Sequence, residues 1–169
     1  MRILTVFLAL CLLAVPAHAA QRPKVAMPAA RPLTFEAVAH AASHYGVPLA
    51  PLLGILATEN GRLGEALGNT NGTWDLGPFQ INTCHLNDLS KIGFTPVAIM
   101  SDGPANAQAA AWLLKREIHR AGNLWQGVSH YHSRTPFRKY GYIRKVRANM
   151  ELLRREGVTS LPIQWGKKL

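Results

Sequence analysis

Residues 52–61 read LLGILATENG and residues 69–82 read NTNGTWDLGPFQIN, and these two stretches decide how the rest of the chain is interpreted. The first has an apolar run with no charge before Glu59, so it predicts a helix that is largely buried and whose last residue carries a carboxyl group. An Asn-Gly pair ends that helix. The second stretch is rich in Asn and Gly and has little helical periodicity, which predicts a small hairpin or irregular insertion with Asp75 on one arm.

The two carboxyl groups in these stretches could act together. At the end of an apolar helix, Glu59 is expected to be partly desolvated, and desolvation raises a carboxyl pKa toward the range of a general acid. Taken alone, the residue is more simply read as a solvated helix-end glutamate or a partner of Arg62. A hairpin folded against this helix end would bring Asp75 across a groove from it, which is the arrangement of glycoside cleavage. The amides of Gln80 and Asn82 alternate with apolar neighbours and would face the same groove.

Helical periodicity extends along most of the remaining chain. Its length of 169 residues and its 48% content of apolar residues fit one domain with a real core. We therefore expect a mainly α-helical domain over residues 34–157. The predicted helices cover 34–45, 48–59 (with a start near Pro48 or Pro51), 104–120, 123–131 and 136–156, with short stretches at 83–91 and 95–100. In the last helix, the apolar spacing predicts one buried face made of Tyr140, Ile143, Val146, Met150 and Leu153.

The N-terminus has the pattern of a secretory signal peptide. One basic residue precedes an apolar run, and Ala17 and Ala19 provide small residues at a cleavage site. The run is about thirteen residues long, shorter than the ~18–20 that span a bilayer, so cleavage is preferred over a retained anchor. Residues 1–19 are thus expected to be removed on export to the periplasm, with no stable membrane insertion afterwards. Residues 20–33 have the composition of a flexible linker, and 158–169 form a short tail.

The charge of the chain indicates the kind of partner it binds, and its cysteine content indicates whether it has disulfides. The net charge of +10 and the pI near 10.2 call for an anionic partner. Export and the absence of a nucleic-acid-binding motif argue against nucleic acid. Peptidoglycan, whose peptides carry free carboxylates, fits an exported protein, and the basic stretch 134–147 would attract it. Two cysteines exclude a disulfide scaffold, and only Cys84 would remain after export, which we expect as a free, partly buried thiol.

The motifs resemble those of the lysozyme-like superfamily. ATENG at 57–61, followed by NTNGTWDLGPFQIN, is similar to the pattern of specialised lytic transglycosylases associated with conjugation, secretion and type IV pilus systems, and of c-type lysozymes. The later WQGVSHYHSRTP resembles the transglycosylase segment Ala-Tyr-Asn-x-Gly, with Tyr131 at the Tyr and His132 where Asn is usual. The resemblance covers roughly residues 34–145. The sequence departs from the pattern at Asn60, where Ser is usual, and at the Pro-Phe pair before Gln80.

This resemblance implies a fold, a site and a reaction. The fold would be a lysozyme-like (goose/c-type) helical domain with a small β insertion. The implied catalytic residues are Glu59 and Asp75, and the implied substrate-binding residues are Gln80, Asn82, Tyr131 and His132. Tyr131 would bind the substrate's N-acetyl group or the catalytic carboxyl. No metal or organic cofactor is implied, and His130 and His132 lack a metal-binding pattern.

The implied reaction is cleavage of the β-1,4 bond between N-acetylmuramic acid and N-acetylglucosamine. Glu59 would act first as acid and then as base on the sugar's own 6-hydroxyl, which forms 1,6-anhydro-N-acetylmuramic acid. The expected partners are glycan strands and components of a secretion, conjugation or pilus machine. The alternatives are a hydrolytic muramidase, a non-catalytic peptidoglycan-binding assembly factor and a membrane-anchored structural subunit. Trp74, beside Asp75, either stacks on a sugar or packs within the protein.

Overall fold

Seven α-helices and one three-stranded antiparallel sheet make up the described part of this computed structural model, residues 30–133 and 135–157. The prediction of a mainly helical domain with a small β insertion is confirmed. The predicted signal peptide, residues 20–29 of the linker and the tail from residue 158 lie outside the described residues. The helices are α1 (Phe35–Tyr45), α2 (Leu49–Glu59), α3 (Leu86–Ser90), α4 (Pro96–Ser101), α5 (Gly103–Ala121), α6 (Leu124–His132) and α7 (Pro136–Arg155).

Helix α2 begins and ends where the sequence predicts. Pro48 precedes its first residue, and Asn60 follows Glu59 in the left-handed region with φ of 47°. The backbone N–H of Asn60 donates to the carbonyl of Leu56 and completes the last turn. The helix therefore stops directly after Glu59, and the chain turns away to leave this carboxyl at the helix end.

The sheet consists of β1 (Ala66–Gly68), β2 (Trp74–Leu76) and β3 (Ile81–Asn82), in that order. It confirms the hairpin and adds a short third strand to it. Asp75 pairs with Leu67 on β1 and with Asn82 on β3. Because paired residues share a face of the sheet, Asp75 and Asn82 lie on the same side.

The core lies between α2, α5 and the loop that follows β2. Fully buried side chains from all three regions meet there, including Ile55, Leu56, Phe79 and Leu114. Helix α5 packs against α1 and α6, and α2 packs against α7. Within the described residues, no helix combines the length and the apolar character needed to cross a bilayer.

The end of the predicted linker contacts the domain. The guanidinium of Arg31 donates to both oxygens of Asp102, at 2.6 and 3.0 Å, and its carbonyl accepts from the N–H of Gly103. The backbone of Leu33 passes so close to Gly103 that a side chain there would collide with it. Residues 31–33 are thus held against the start of α5 and do not behave as the free linker that the composition predicts.

Candidate functional site

One cleft of about 630 Å³ lies between the hairpin and helices α2, α5 and α6. Its lining includes every residue that the sequence singled out for the site: Glu59, Asp75, Gln80, Asn82, Tyr131 and His132. The hairpin adds Asn69, Asn71 and Thr73 as an uncharged polar wall. The fold therefore brings together residues that are up to 73 positions apart, because α2 and α6 both pack against α7.

Glu59 lies half-buried at the end of α2 and lines this cleft. Burial raises the pKa of its carboxyl to about 7, and the negative charge of Asp75 acts in the same direction. A hydrogen bond from Tyr142 and the positive charge of Lys145 act against this increase. A carboxyl with a pKa near neutrality can both donate and accept a proton at physiological pH.

Tyr142 is the residue of the site that sequence reasoning missed. Its hydroxyl donates a 2.6 Å hydrogen bond to Oε1 of Glu59, and only 5% of the residue is exposed. The apolar spacing of α7 predicted Tyr140 on its buried face, but Tyr140 is 77% exposed, so that prediction is wrong. Val146 and Met150 pack in the core as predicted, and the buried face continues from them to Tyr142, at i, i+4 and i+8. This spacing was the available signal.

A glycine on α2 explains why that face of α7 is chosen. A Cβ at Gly54 would meet the side chain of Met150 at 2.6 Å and the carbonyl oxygen of Val146 at 2.9 Å. The two helices thus approach closely at this point. The approach brings Tyr142, one turn before Val146, level with Glu59, which lies five residues after Gly54.

Asp75 is held by two side-chain amides. Nδ2 of Asn69 donates to one carboxyl oxygen at 3.0 Å, and Nδ2 of Asn82 donates to the other at 2.7 Å. Asn82 also donates to the hydroxyl of Thr73, and its Oδ1 accepts from the N–H of Cys84. The structure therefore gives Asn82 several partners within the protein, where the resemblance implied a substrate contact.

Gln80 and the peptide before it are fixed in an unusual conformation. Gln80 has a φ of 47°, and its Nε2 donates to the carbonyl of Gly77 at 2.9 Å. A Cβ at Gly61 would collide with that same carbonyl and with the Gln80 amide. The loop between β2 and β3 thus lies directly against the end of α2, and this close approach requires glycine at position 61.

The backbone of Phe79 is hydrogen-bonded through both its N–H and its carbonyl. Its N–H donates to Oδ1 of Asn106 at 2.9 Å, and its carbonyl accepts from the hydroxyl of Tyr131 at 3.0 Å. Asn106 is fully buried on α5, and its Nδ2 donates to the carbonyls of Leu76 and Ile99. Tyr131 thus holds the loop, where the resemblance implied a contact with the substrate or the catalytic carboxyl.

His132 borders the cleft beside the Glu59–Tyr142 pair. Its ring stacks on the ring of Tyr142, with centroids 4.6 Å apart and planes inclined by 4°. His130, also in the cleft lining, lies 2.9 Å from Nζ of Lys139 on α7. The α6–α7 side of the cleft is thus aromatic and basic, whereas the hairpin side has amides and hydroxyls around the Asp75 carboxylate.

A partly buried ion cluster, centred on Arg116 of α5, borders the cleft. The guanidinium of Arg116 donates to Glu117 at 3.2 Å and to Asp88 on α3 at 2.9 Å. A third contact, 3.1 Å long, joins it to Nδ1 of His85, whose pKa is lowered by burial and by the Arg116 charge. Glu117 is only 4% exposed. This cluster ties α3 to α5 and stabilises the cleft wall that continues from β3.

The structure also gives the surroundings of Cys84, which was expected to be partly buried, and of Trp74, whose role was left open. Cys84 is a free thiol, but it is exposed at the cleft, so the prediction of partial burial is wrong. Trp74 is 52% exposed and is not part of the cleft lining. Its indole therefore does not stack on a sugar bound between Glu59 and Asp75.

Comparisons with known proteins give limited similarity. No model of a known protein family matches the chain. Two curated relatives, both called Protein IpgF, come from Shigella flexneri and Shigella sonnei. Each is 30% identical to the chain over 100 residues, which are 59% of this chain and 66% of the relative. The match thus spans slightly less than two thirds of either relative.

Proposed function

We propose that this protein is a lysozyme-like enzyme that cleaves the β-1,4 bond between N-acetylmuramic acid and N-acetylglucosamine in peptidoglycan. The observation that carries the proposal is the carboxyl of Glu59, whose pKa is raised to about 7 in a cleft that it shares with Asp75. In glycosidases, a carboxyl group whose pKa is raised acts as the acid, and a second carboxylate beside it stabilises the positive charge that develops on the sugar. The motifs of the sequence add the substrate class to this chemistry.

In the first step, the protonated carboxyl of Glu59 donates its proton to the oxygen that bridges the two sugars. The bond between this oxygen and C1 of the muramic acid breaks, and N-acetylglucosamine leaves with a free 4-hydroxyl. Positive charge develops at C1 and the ring oxygen, and the substrate's N-acetyl group and Asp75 stabilise it. Glu59 is now a carboxylate, and the hydroxyl of Tyr142 donates to it.

In the second step, the carboxylate of Glu59 accepts the proton of the muramic acid 6-hydroxyl while O6 attacks C1. The product is a 1,6-anhydro sugar, and Glu59 is protonated again for the next cycle. This route makes the protein a lytic transglycosylase. Because O6 belongs to the bound sugar, the nucleophile is already positioned and no water has to be activated.

The basic surface of α7 supports an acidic polymer as substrate. Arg144 and Lys145 are exposed, and Lys139 lies beside the cleft. Exposed positive charges attract a polyanion over about one Debye length, ~10 Å at 0.1 M salt. The peptide carboxylates of peptidoglycan provide such charges. Together with the predicted signal peptide, this charge supports a reaction in the periplasm, where the enzyme would open the wall locally for a secretion, conjugation or pilus machine.

A hydrolytic muramidase is the second candidate, and the geometry of Asp75 favours it. Two amide donors orient this carboxylate in the cleft, and a fixed carboxylate can stabilise a glycosyl intermediate until water attacks. Both routes use Glu59 as the acid. They differ in the product, which carries an anhydro ring in one case and a reducing end in the other.

Mass spectrometry of the products from purified sacculi tests the proposal. We expect soluble muropeptides with 1,6-anhydro ends from the wild-type protein. Glu59→Gln should reduce their release by at least the ~10²–10⁴ typical of general acid catalysis. Glu65→Gln, a change at an exposed glutamate outside the cleft, is the matched control and should release normal amounts. Undiminished release by Glu59→Gln, or no release by the wild type, would overturn the enzyme assignment.

A further inference from the structure

Trp74 is an exposed aromatic residue that the proposed reaction does not use. It is the first residue of β2, directly before Asp75. Side chains alternate between the two faces of a strand, so the indole lies on the face opposite to the Asp75 carboxylate. Just over half of the residue, 52%, is exposed. A large apolar ring is thus held at the outer side of the wall that the hairpin forms along the cleft.

The ring lies flat against β1. Its cross-strand partner is Gly68, and a Cβ at that position would lie 3.3, 3.5 and 3.5 Å from three consecutive atoms of the six-membered ring. Nearly equal distances to three adjacent atoms place this point above the face of the ring and not at its edge. One indole face therefore covers the glycine. Since 52% of the residue is exposed, the opposite face is the one that is open to solvent.

The strand that carries the ring is anchored. The backbone N–H of Trp74 donates to the hydroxyl of Thr83 at 3.0 Å, and the next residue is bound by the amides of Asn69 and Asn82. The ring is therefore presented on a fixed backbone and not on a free loop. A flat apolar surface that is fixed in this way loses little conformational entropy when a ligand binds to it.

We propose that the exposed face of Trp74 is a second carbohydrate-binding site, outside the cleft, on which a pyranose ring of the glycan stacks. A pyranose has apolar C–H groups on its faces and hydroxyls around its edge. The exposed indole face matches the first, and the hydroxyls at the edge of the sugar can stay hydrated because the ring lies at the surface. The proposal rests on the proposed function for its substrate class. It adds a contact that holds the polymer beyond the cleaved bond.

The surroundings of the ring favour a sugar over a protein partner. A protein interface has a core of several apolar side chains and buries about 800 Å² on each partner. Among the described residues, the other large exposed apolar side chain of the sheet is Leu67, which pairs with Asp75 and so lies on the opposite face. A single flat ring is the size of one sugar. The same hairpin also lines the cleft, so the two sites share one wall.

Co-sedimentation with peptide-free glycan strands tests this site without turnover. All proteins carry Glu59→Gln so that the strands stay intact. We expect Trp74→Ala to weaken binding about three- to tenfold, as for the loss of one aromatic contact, and Trp74→Phe to retain part of it. Tyr140→Ala removes an aromatic side chain of α7 that is even more exposed, 77% against 52%, and is the matched control, with unchanged binding. Equal binding by Trp74→Ala and its parent would overturn the proposal.

Turnover in the otherwise wild-type protein separates this site from the cleft. We expect Trp74→Ala to slow release from whole sacculi and to leave cleavage of a short soluble oligosaccharide, which fills only the cleft, at the wild-type rate. An equal loss on both substrates would show that Trp74 supports the fold or the cleft, and would overturn the proposal. Normal glycan binding by Trp74→Ala, together with loss of its binding to a protein of the envelope, would also overturn the proposal. Failure of the proposed function would instead appear as an inactive wild type, and the co-sedimentation result would be unaffected by it.

Discussion

The hydroxyl of Tyr142 lies 2.6 Å from Oε1 of Glu59 and joins two helices whose residues are 83 positions apart in the chain. A hydrogen bond donated to a carboxylate stabilises its charged form, whereas burial destabilises that form. The pKa of about 7 is the balance of these opposing effects, with burial the larger. The pair thus keeps the carboxyl close to the pH at which it can give up a proton and regain it.

Replacing Tyr142 by Phe should move the pH profile of the enzyme. The hydroxyl lowers the pKa of Glu59, so its removal raises that pKa. Because Glu59 must be protonated to start the reaction, kcat/KM of the wild type should fall as the pH rises through about 7, and this limb should shift to higher pH in Tyr142→Phe. A pH series with a soluble oligosaccharide measures it. Tyr140→Phe, an exposed position on the same helix, should leave the profile unchanged, and an unshifted limb in Tyr142→Phe would contradict the role given to this hydrogen bond.

Glu59 should also make the stability of the protein depend on pH. Its pKa is raised in the folded state from 4.5 to about 7, so the folded state binds the proton more tightly than the unfolded chain. The stabilisation is complete below pH 4.5 and is lost as the pH rises to about 7. Relative to Glu59→Gln, the wild type should lose at most about 3 kcal/mol of unfolding free energy over this interval.

Urea unfolding of the wild type and Glu59→Gln at a series of pH values measures this difference. Glu65→Gln makes the same change of glutamate to glutamine at an exposed position outside the cleft and serves as the control for the substitution itself. A difference between the wild type and Glu59→Gln that also stays constant would show that burial does not perturb this carboxyl.

The periodic and turn-forming parts of the chain were predictable from the sequence. The apolar run before Glu59 and the Asn-Gly pair after it are local signals, and they fix the end of α2. The Asn- and Gly-rich stretch similarly predicted the hairpin. Six residues that the motifs singled out line one cleft, because the motifs contain side chains that face the same groove.

The partners of these residues were not predictable, because they depend on how distant helices pack. The face that α7 buries is selected by Gly54, since this glycine on α2 allows the close approach that admits Val146 and Met150. Apolar periodicity on α7 alone favoured Tyr140, which is exposed. The partner of Glu59 is therefore a tertiary consequence of a glycine in another helix.

Asn106 should stabilise the loop that carries Gln80. Its buried amide makes three hydrogen bonds, two to carbonyls and one from the N–H of Phe79. Asn106→Ala leaves these buried groups without partners, so we expect a loss of about 2–4 kcal/mol in the free energy of unfolding. Urea unfolding measures this loss. Asn149→Ala removes one part-buried hydrogen bond, to Thr58, and should cost about 0.5–1.5 kcal/mol. Equal losses in the two variants would contradict the special role of Asn106.

Asp75→Asn should distinguish the transglycosylase route from the hydrolytic route, which differ in what happens after positive charge has developed at C1. In the transglycosylase route, O6 is held within the substrate and Asp75 only stabilises positive charge, so we expect a partial loss of activity and products that still carry anhydro ends. In the hydrolytic route, Asp75 stabilises the glycosyl intermediate until water attacks, so the loss should approach that of Glu59→Gln and the products should carry reducing ends.

Mass spectrometry of the products and initial rates on the same sacculi measure both quantities. Asn69→Ala is the matched control for the Asp75 variant, because it removes one donor to this carboxylate and retains its charge. If the charge of Asp75 is what matters, Asn69→Ala should reduce the rate less than Asp75→Asn does. Anhydro products together with complete inactivity of Asp75→Asn would refute this division of roles, since a nucleophile supplied by the substrate does not require the second carboxylate.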